Sequence, residues 1–387
     1  MAAVVEPAPP PPAESQRDPE ETLAWLRISK SELPPRKLTA LQARCGADPR
    51  CILGGTEEAW LECGLAPSQT QRLRECAAAD MSRDLDTMNR LGATVVTAAD
   101  PNYPPRLRTL TDAPPILFVR GTLSPDDQFA VAMVGSRRAT SYGRSIAERF
   151  ARELCRYGLC IVSGGARGVD SHAHRGALSA AGRTIAVVGC GLDVAYPAEN
   201  RSLYSQIVSS GQGAIVSEYP IGASPDPWRF PARNRLISGM SIAVLVVESP
   251  LNSGAMITAS NAAEQGRDVF AVPGPIETGR SAGCHRLIQE GAKLVERAEE
   301  IVDELGILRL TADNPDPGSR QPFMTPAIGL PPDQRGVLDL LTLEARHVDR
   351  ISTACNLSAA AVTAILTHLE MRGLARRVPG NAFVRVL

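Results

Sequence analysis

Between residues 91 and 306 short apolar, β-rich runs alternate with stretches of helical character, in the order ATVVT, ILFVR, VAMVGS, CIVSGG, TIAVVG, AIVSE, IAVLVVES and DVFAVPG. A chain that alternates strand and helix in this way covers a largely parallel sheet with helices, so the fold class is α/β. The chain has 387 residues, and at about 100–200 residues per domain it has room for two or three domains. Hydrophobic residues make up 44% and charged residues 21%, which excludes wholesale disorder and a fibrous repeat.

The flanks differ from this middle. Residues 19–89 carry short helical patterns, in ETLAWLRISKS, PPRKLTALQARC, TEEAWLECG and SQTQRLRECAA, and read as a small all-helical domain. The alternating region, taken as 90–310, is followed by six prolines in residues 311–334, a density that marks a linker. Residues 335–387 then read as three helices (335–343, 347–353 and 358–372) and a hairpin, LARRV-PGN-AFVRV, which is the pattern of a winged helix. Ser358 is its expected N-cap for the third helix and Gly373 the expected stop.

Residues 1–18 open MAAVVEPAPPPPAE, with five prolines between Pro7 and Pro12 and neither a basic nor an apolar leader segment. They read as a disordered tail. No apolar run reaches the roughly 18–20 residues of a membrane span, so a cytoplasmic protein without membrane contact is expected. The nine cysteines include no C-x-x-C pair, and neither a disulfide frame nor a zinc site follows. With 41 basic and 42 acidic residues the net charge is −1, and any nucleic-acid site must be a local patch. Only Lys30, Lys37 and Lys293 among the basic residues are lysines; the rest are arginines, the side chain suited to bidentate phosphate contacts.

Several strand ends carry turns of a phosphate-binding type. In residues 131–143, VAMVGSRRATSYG, Gly135 allows close backbone approach, Ser136 offers a hydroxyl, Arg137 supplies charge, and the free N–H groups of the helix starting near Tyr142 face outward. The same turn is equally a tight β–α connection with solvated arginines. A second Gly-rich turn, residues 161–170 (IVSGGARGVD), contains Ser163, Gly164, Gly165, Arg167 and Gly168, with Asp170 set to cap the next helix. Asp170, His172 and His174 form a D-x-H-x-H string, but on a helix His172 points away from the other two. A structural cap that also holds His174 is therefore expected in place of a metal. Residues 184–194, TIAVVGCGLDV, begin like a dinucleotide fingerprint but lack its third glycine, and Tyr196-Pro197 stand where the helix should run.

The densest basic cluster is PWRFPARNRLI, residues 227–237, where Trp228 and Phe230 interleave with Arg229, Arg233, Asn234 and Arg235. Rings that stack on bases beside guanidinium groups that track a backbone suit single-stranded nucleic acid; the alternative is a core Phe230 with arginines lining a helix start. In residues 249–258, SPLNSGAMIT, a Ser-Gly turn offers Asn252, Ser253, Gly254 and Thr258 as neutral contacts. No Ser-His-acid, Cys-His or paired-carboxylate set emerges, and Glu218 and Glu248 at strand ends are expected to cap helices or hold arginines. No cofactor is implied.

Taken in order, VAMVGSRRATSYG, IVSGGARGVDSHAHRGAL, GRTIAVVGCGLDVAYPAEN, FPARNRLISGMS, VVESPLNSGAMITASNAAEQGR and VFAVPG resemble the DprA (Smf) DNA-processing protein family. The likeness runs from about residue 101 to 295, and the flanks resemble the helical, SAM-like N-terminal and winged-helix C-terminal domains of many members. It implies an extended Rossmann-like, mostly parallel sheet that binds single-stranded DNA, forms a homodimer and helps load the RecA recombinase in natural transformation, without enzymatic activity. Carried onto matching positions, the family's DNA pocket would include Gly135, Ser136, Arg137, Ser163, Gly164, Gly165, Gly168, Phe230, Arg233, Asn234 and Arg235. The helical domain departs from a helix-hairpin-helix binder at Leu33-Pro34-Pro35, and the third C-terminal helix carries only Arg372 as a fixed positive charge, so neither flank is expected to contact DNA as such modules do. The enzyme alternative, a nucleotide-binding hydrolase similar to phosphoribohydrolases, requires a P-G-G-x-G-T-x-x-E string, of which Pro273-Gly-Pro275 is the nearest approach. A ligand-sensing winged-helix regulator is the third reading.

Overall fold

A computed structural model of the protein describes residues 17–46, 48–306, 331–341, 346–355, 357–371, 375–378, 380 and 382–385. The chain divides into two compact units, Met1–Arg309 and Leu310–Leu387. The tail 1–16, most of the linker 311–334, Arg372 and Gly373 lie outside the described residues.

The first unit begins with six helices, α1 (Pro19–Lys30), α2 (Pro35–Cys45), α3 (Pro49–Leu53), α4 (Glu57–Glu62), α5 (Pro67–Ala78) and α6 (Ser82–Leu91). Their starts follow the sequence: Asp18 accepts the Glu20 N–H with Pro19 in the first turn, and the Thr56 hydroxyl accepts from Ala59 N. Trp25, Leu26, Leu41 and Leu73 do not close a core of their own. They share one hydrophobic cluster with Phe118, Val188 and Ile215 of the sheet region, so the helices cover a flank of the sheet.

That sheet contains β1 (Ala93–Thr97), β2 (Ile116–Gly121), β3 (Ala130–Val134), β4 (Cys160–Ser163), β5 (Thr184–Val187), β6 (Gly213–Ser217), β7 (Ala243–Val246), β8 (Asp268–Ala271) and β9 (Lys293–Leu294), in the order β1-β2-β6-β5-β4-β3-β7-β8-β9. The pairs from β6 to β9 are parallel, and β1–β2 and β2–β6 are antiparallel. From β3 the chain moves outward through β4, β5 and β6, then returns to the other side of β3 with β7. The strand order therefore reverses between β3 and β7. All five residues of β3 are buried, as a strand covered by helices on both faces requires. The covering helices are α7 (Ser141–Arg156), α8 (Val169–Ser179), α9 (Arg201–Ser209), α10 (Arg229–Gly239), α11 (Gly254–Glu264), α12 (Ala282–Gln289) and α13 (Ala298–Leu305). On α7 the residues Ala147, Phe150, Ala151 and Leu154 make the buried stripe, spaced as one helical face.

The second unit contains α14 (Pro332–Leu340), α15 (Val348–Cys355), α16 (Ala359–Met371) and a three-stranded sheet of β10 (Arg346–His347), β11 (Ala375–Val378) and β12 (Ala382–Arg385), ordered β10-β12-β11. Val337, Ile351, Val362, Leu366, Leu369 and Phe383 form its core. It is a winged helix. The Ser358 hydroxyl accepts from Ala361 N at 3.2 Å, the expected N-cap. The helix α14 starts inside the expected linker, because Pro332 suits a first helical position.

Among the described residues no single helix is long and apolar enough to cross a membrane. All nine cysteines are free. Asp170 corrects the sequence reading: α8 starts after Gly168, and the Asp170 carboxylate turns back to the preceding loop, accepting from Ala166 N at 3.3 Å. It does not hold His174, whose Nδ1 lies 2.7 Å from the Thr184 hydroxyl. That hydroxyl already donates to the Ile161 carbonyl at 2.8 Å, so His174 Nδ1 carries the proton and donates. His174 Nε2 is buried without a partner, and burial pushes the imidazole pKa down to about 3.

Phe150 is fully buried (0% exposed) between α7 and the sheet, and Phe150→Ala should lower stability by about 3–5 kcal/mol in urea unfolding. His174 has a folded pKa of about 3, below the ordinary value near 6.5 of an unfolded chain, so the unfolded state takes up the proton first. Its contribution is complete above pH of about 6.5 and is lost at about 1.4 kcal/mol per pH unit as the pH falls towards the folded value. The slope of unfolding free energy between pH 6 and 4.5, compared with that of His174→Asn, measures it; equal slopes would assign the effect to other groups.

Candidate nucleic-acid interface

The carboxyl ends of β3, β4 and β5 and the start of α10 enclose a slot of about 200 Å³, walled by Gly164, Ala166, Val188, Gly189, Tyr196, Pro197 and Phe230, with Arg137, Arg138, Arg167 and Arg233 at its margin. Phe230 is presented by the first turn of α10 and faces Tyr196 with ring centroids 5.3 Å apart. The Arg137 guanidinium lies over the Phe230 ring, 5.4 Å from its centroid, in cation–π geometry. Gly189 packs against Phe230, and a Cβ there would stand 3.1 Å from the ring, so a side chain at this position would crowd it.

Below the slot the β4–α8 turn is held from both sides. Arg233 Nη1 donates to the Gly164 carbonyl at 2.7 Å and also to the Val187 carbonyl, while Asp170 accepts from the turn's backbone. Burial raises the Asp170 pKa and lowers that of Arg233, and each charge opposes the other's shift. Gly168 adopts φ +77°, and a Cβ would fall 2.1 Å from the Ser136 carbonyl oxygen; only glycine fits there. The two turns are thereby joined, with Val169 N donating to the Ser136 carbonyl at 3.2 Å.

The first turn differs from the sequence expectation. The N-terminus of α7 does not face outward with free donors: Glu248, 2% exposed at the end of β7, accepts from Thr140 N at 3.0 Å and from the Thr140 hydroxyl, and that hydroxyl accepts from Gly143 N at 3.1 Å. Gly135 serves packing, because a Cβ would meet the Glu248 carbonyl oxygen at 2.8 Å. The Ser136 hydroxyl accepts from Arg138 N at 3.1 Å. Beside the slot, Arg137, Arg138, Arg144, Arg167 and Arg280 line an open cleft of about 540 Å³, together with Thr140, Gly168 and His172.

Of the residues singled out by sequence, Arg137, Gly164, Arg167, Phe230 and Arg233 meet at the slot and Gly168 at the cleft. The others lie elsewhere, most of them bonded within the fold. The Ser163 hydroxyl donates to the Met133 carbonyl at 2.6 Å, tying β4 to β3. The Gly165 carbonyl accepts from the Tyr204 hydroxyl and Asn200 Nδ2. Arg229 is 6% exposed and paired with Glu32 at 2.9 Å, and Arg235 is paired with Glu218 and Asp112. Asn234 Nδ2 donates to the Gly254 carbonyl at 3.1 Å, joining α10 to α11. Thr258 is buried and bonds to its own helix; Ser253 bonds to Ser249, and Asn252 is exposed away from the slot walls. Trp228, 58% exposed, stands edge-on to Tyr219 and outside the slot. Sequence reasoning missed Tyr196 as a wall and the arginines Arg138, Arg144 and Arg280; the Arg137-Arg138 doublet and a positive charge in the first turn of α7, against the helix dipole, were the available signals.

Among the described residues no group of three His, Cys, Asp or Glu side chains could hold a metal ion. His172 is instead bonded through Nδ1 to Glu148 at 2.6 Å. The site therefore offers a flat aromatic wall, backbone turns and guanidinium groups, which is equipment for holding a base and its phosphate.

Residues 94–306 match the sequence model described as DNA recombination-mediator protein A, and residues 321–381 match that of the DprA winged helix domain. Protein Smf of Escherichia coli is 38% identical over 325 residues, covering 84% of this chain and 85% of that protein. A protein of Mycobacterium tuberculosis named putative DNA processing protein DprA is 36% identical over 367 residues, 91% of each chain. The X-ray structure of DNA processing protein A from Streptococcus pneumoniae aligns with a TM-score of 0.64 at 36% identity, over 73% of this chain and 97% of that one. With its mostly parallel sheet and its winged helix, the chain belongs to the DNA recombination-mediator protein A (DprA/Smf) family.

Proposed function

We propose that this chain is a non-enzymatic DNA-processing protein of natural transformation, which binds incoming single-stranded DNA through the slot and helps load the RecA recombinase onto it. The observation that carries the reading is the slot itself, with Phe230 and Tyr196 as its aromatic wall and Arg137 over the Phe230 ring. A base can enter only with its face exposed, and in a duplex that face is covered by its neighbours, so the slot selects a single strand. Arg137 and Arg167 at its rim supply the backbone contacts. The names of the relatives, DNA processing proteins, support the same assignment. RecA loading, homodimer formation and a cytoplasmic site of action are inferred from family membership.

The test is fluorescence anisotropy of an internally labelled oligothymidylate with hydroxyl ends and a matched duplex, from low to moderate salt. The single strand should bind tightly and the duplex weakly. Phe230→Ala should weaken single-strand binding by about 1–3 kcal/mol, the scale of one lost base stack. Arg137→Ala should weaken binding and reduce the salt slope by about one charge. Equal binding of duplex, or no binding by the unmodified protein, would overturn the reading.

A further inference from the structure

The open cleft beside the slot holds more positive charge than one bridging phosphate can neutralise. Its arginines come from four separate segments: Arg137 and Arg138 from the β3–α7 turn, Arg144 from α7, Arg167 from the β4–α8 turn, and Arg280 from the loop after β8. All five are exposed. Among the described residues only Arg167 of these has a carboxylate partner, Glu199 in a loose pair at 3.6 Å. The other bonds position the side chains without neutralising them. Arg280 Nη1 donates to the Arg138 carbonyl at 3.0 Å, and Arg144 Nε to the Thr140 carbonyl at 3.3 Å. The neighbouring acids are committed elsewhere, Glu248 to Thr140 and Glu148 to His172. Arg144 also stands near the positive end of the α7 dipole, where a cation is disfavoured.

Five like charges gathered on one cleft repel one another unless an anion joins them. A bridging phosphodiester carries one negative charge, whereas a phosphomonoester carries about 1.5 to 2 at neutral pH and three acceptor oxygens, matching several guanidinium forks at once. Bridging phosphates would call for charges strung along a track, and here they converge beside the base slot, sharing Arg137, Arg138 and Arg167 with it. We infer that the cleft binds the terminal phosphomonoester of a nucleotide whose base occupies the slot, so that the protein recognises a phosphorylated strand end. This rests on the single-strand reading above.

The experiment compares internally labelled oligothymidylates bearing a 5′-phosphate, a 3′-phosphate or hydroxyl ends only, with the unmodified protein, Arg144→Ala, Arg280→Ala and the double variant. Both positions are exposed, so folding is retained. One phosphorylated end should bind about tenfold more tightly than the hydroxyl-ended strand, the order of one charge-assisted contact. The double variant should erase that difference, weakening the phosphorylated strand about tenfold more than the hydroxyl-ended one. Equal affinities for the three strands, or equal weakening of all three by the double variant, would overturn end recognition and assign the cleft to bridging phosphates. Displacement of the phosphorylated strand by thymidine monophosphate at comparable concentration would assign the cleft to free nucleotides and overturn it likewise. Failure of every strand to bind would instead remove the single-strand reading.

Discussion

Arg233 is 4% exposed, with its guanidinium on the carbonyls of Gly164 and Val187, so one side chain fixes the exits of β4 and β5 relative to each other. Its countercharge, Asp170, takes the backbone of the same turn from the other side. Removing either partner would strand a buried charge, a defect of about 3–5 kcal/mol in comparable pairs. The helix that delivers Arg233 is itself anchored at both ends of its basic run, by Glu32 on Arg229 and by Glu218 and Asp112 on Arg235. Phe230 lies between these anchors. The aromatic wall is thus positioned by ion pairs and hydrogen bonds made within the chain.

A net charge of −1 conceals a sorting of the arginines by depth. On α10, Arg229 and Arg233 are buried, and Arg229 and Arg235 are matched with acids from distant parts of the chain; those of the β3–α7 and β4–α8 turns are exposed at one edge of the sheet. The field that reaches solvent is therefore local and directed at the strand ends, where it can steer a polyanion without making the whole surface adhesive.

The sheet, its eight longer strands and the winged helix were legible because apolar runs, turns and capping residues are local signals. The two-residue β9 was not, being too short to carry a period. Gly164, Gly168, Arg137 and Phe230, which the resemblance placed in one pocket, lie together at the edge where the strand-end turns of the parallel sheet meet. What the sequence could not show is that α10 spends Arg229 and Arg235 on ion pairs within the fold. Their carboxylate partners are as distant in sequence as Glu32, and no window along the chain reveals that match. Tyr196 escaped for a related reason: it reaches Phe230 from a loop with no periodic pattern.

Glu248 gives the fold a property of a different kind. Where strand order reverses between β3 and β7, sheets of this class take up the phosphates of small nucleotides on the first turn of a helix. Here that berth is filled by a carboxylate from the protein's own backbone neighbour, sealed under Thr140. A diffusing nucleotide would have to evict a resident anion from a desolvated seat before gaining anything. The berth is closed by an internal surrogate, so a phosphate arriving at this edge of the sheet must be held by the guanidinium groups around it and not by the first turn of α7.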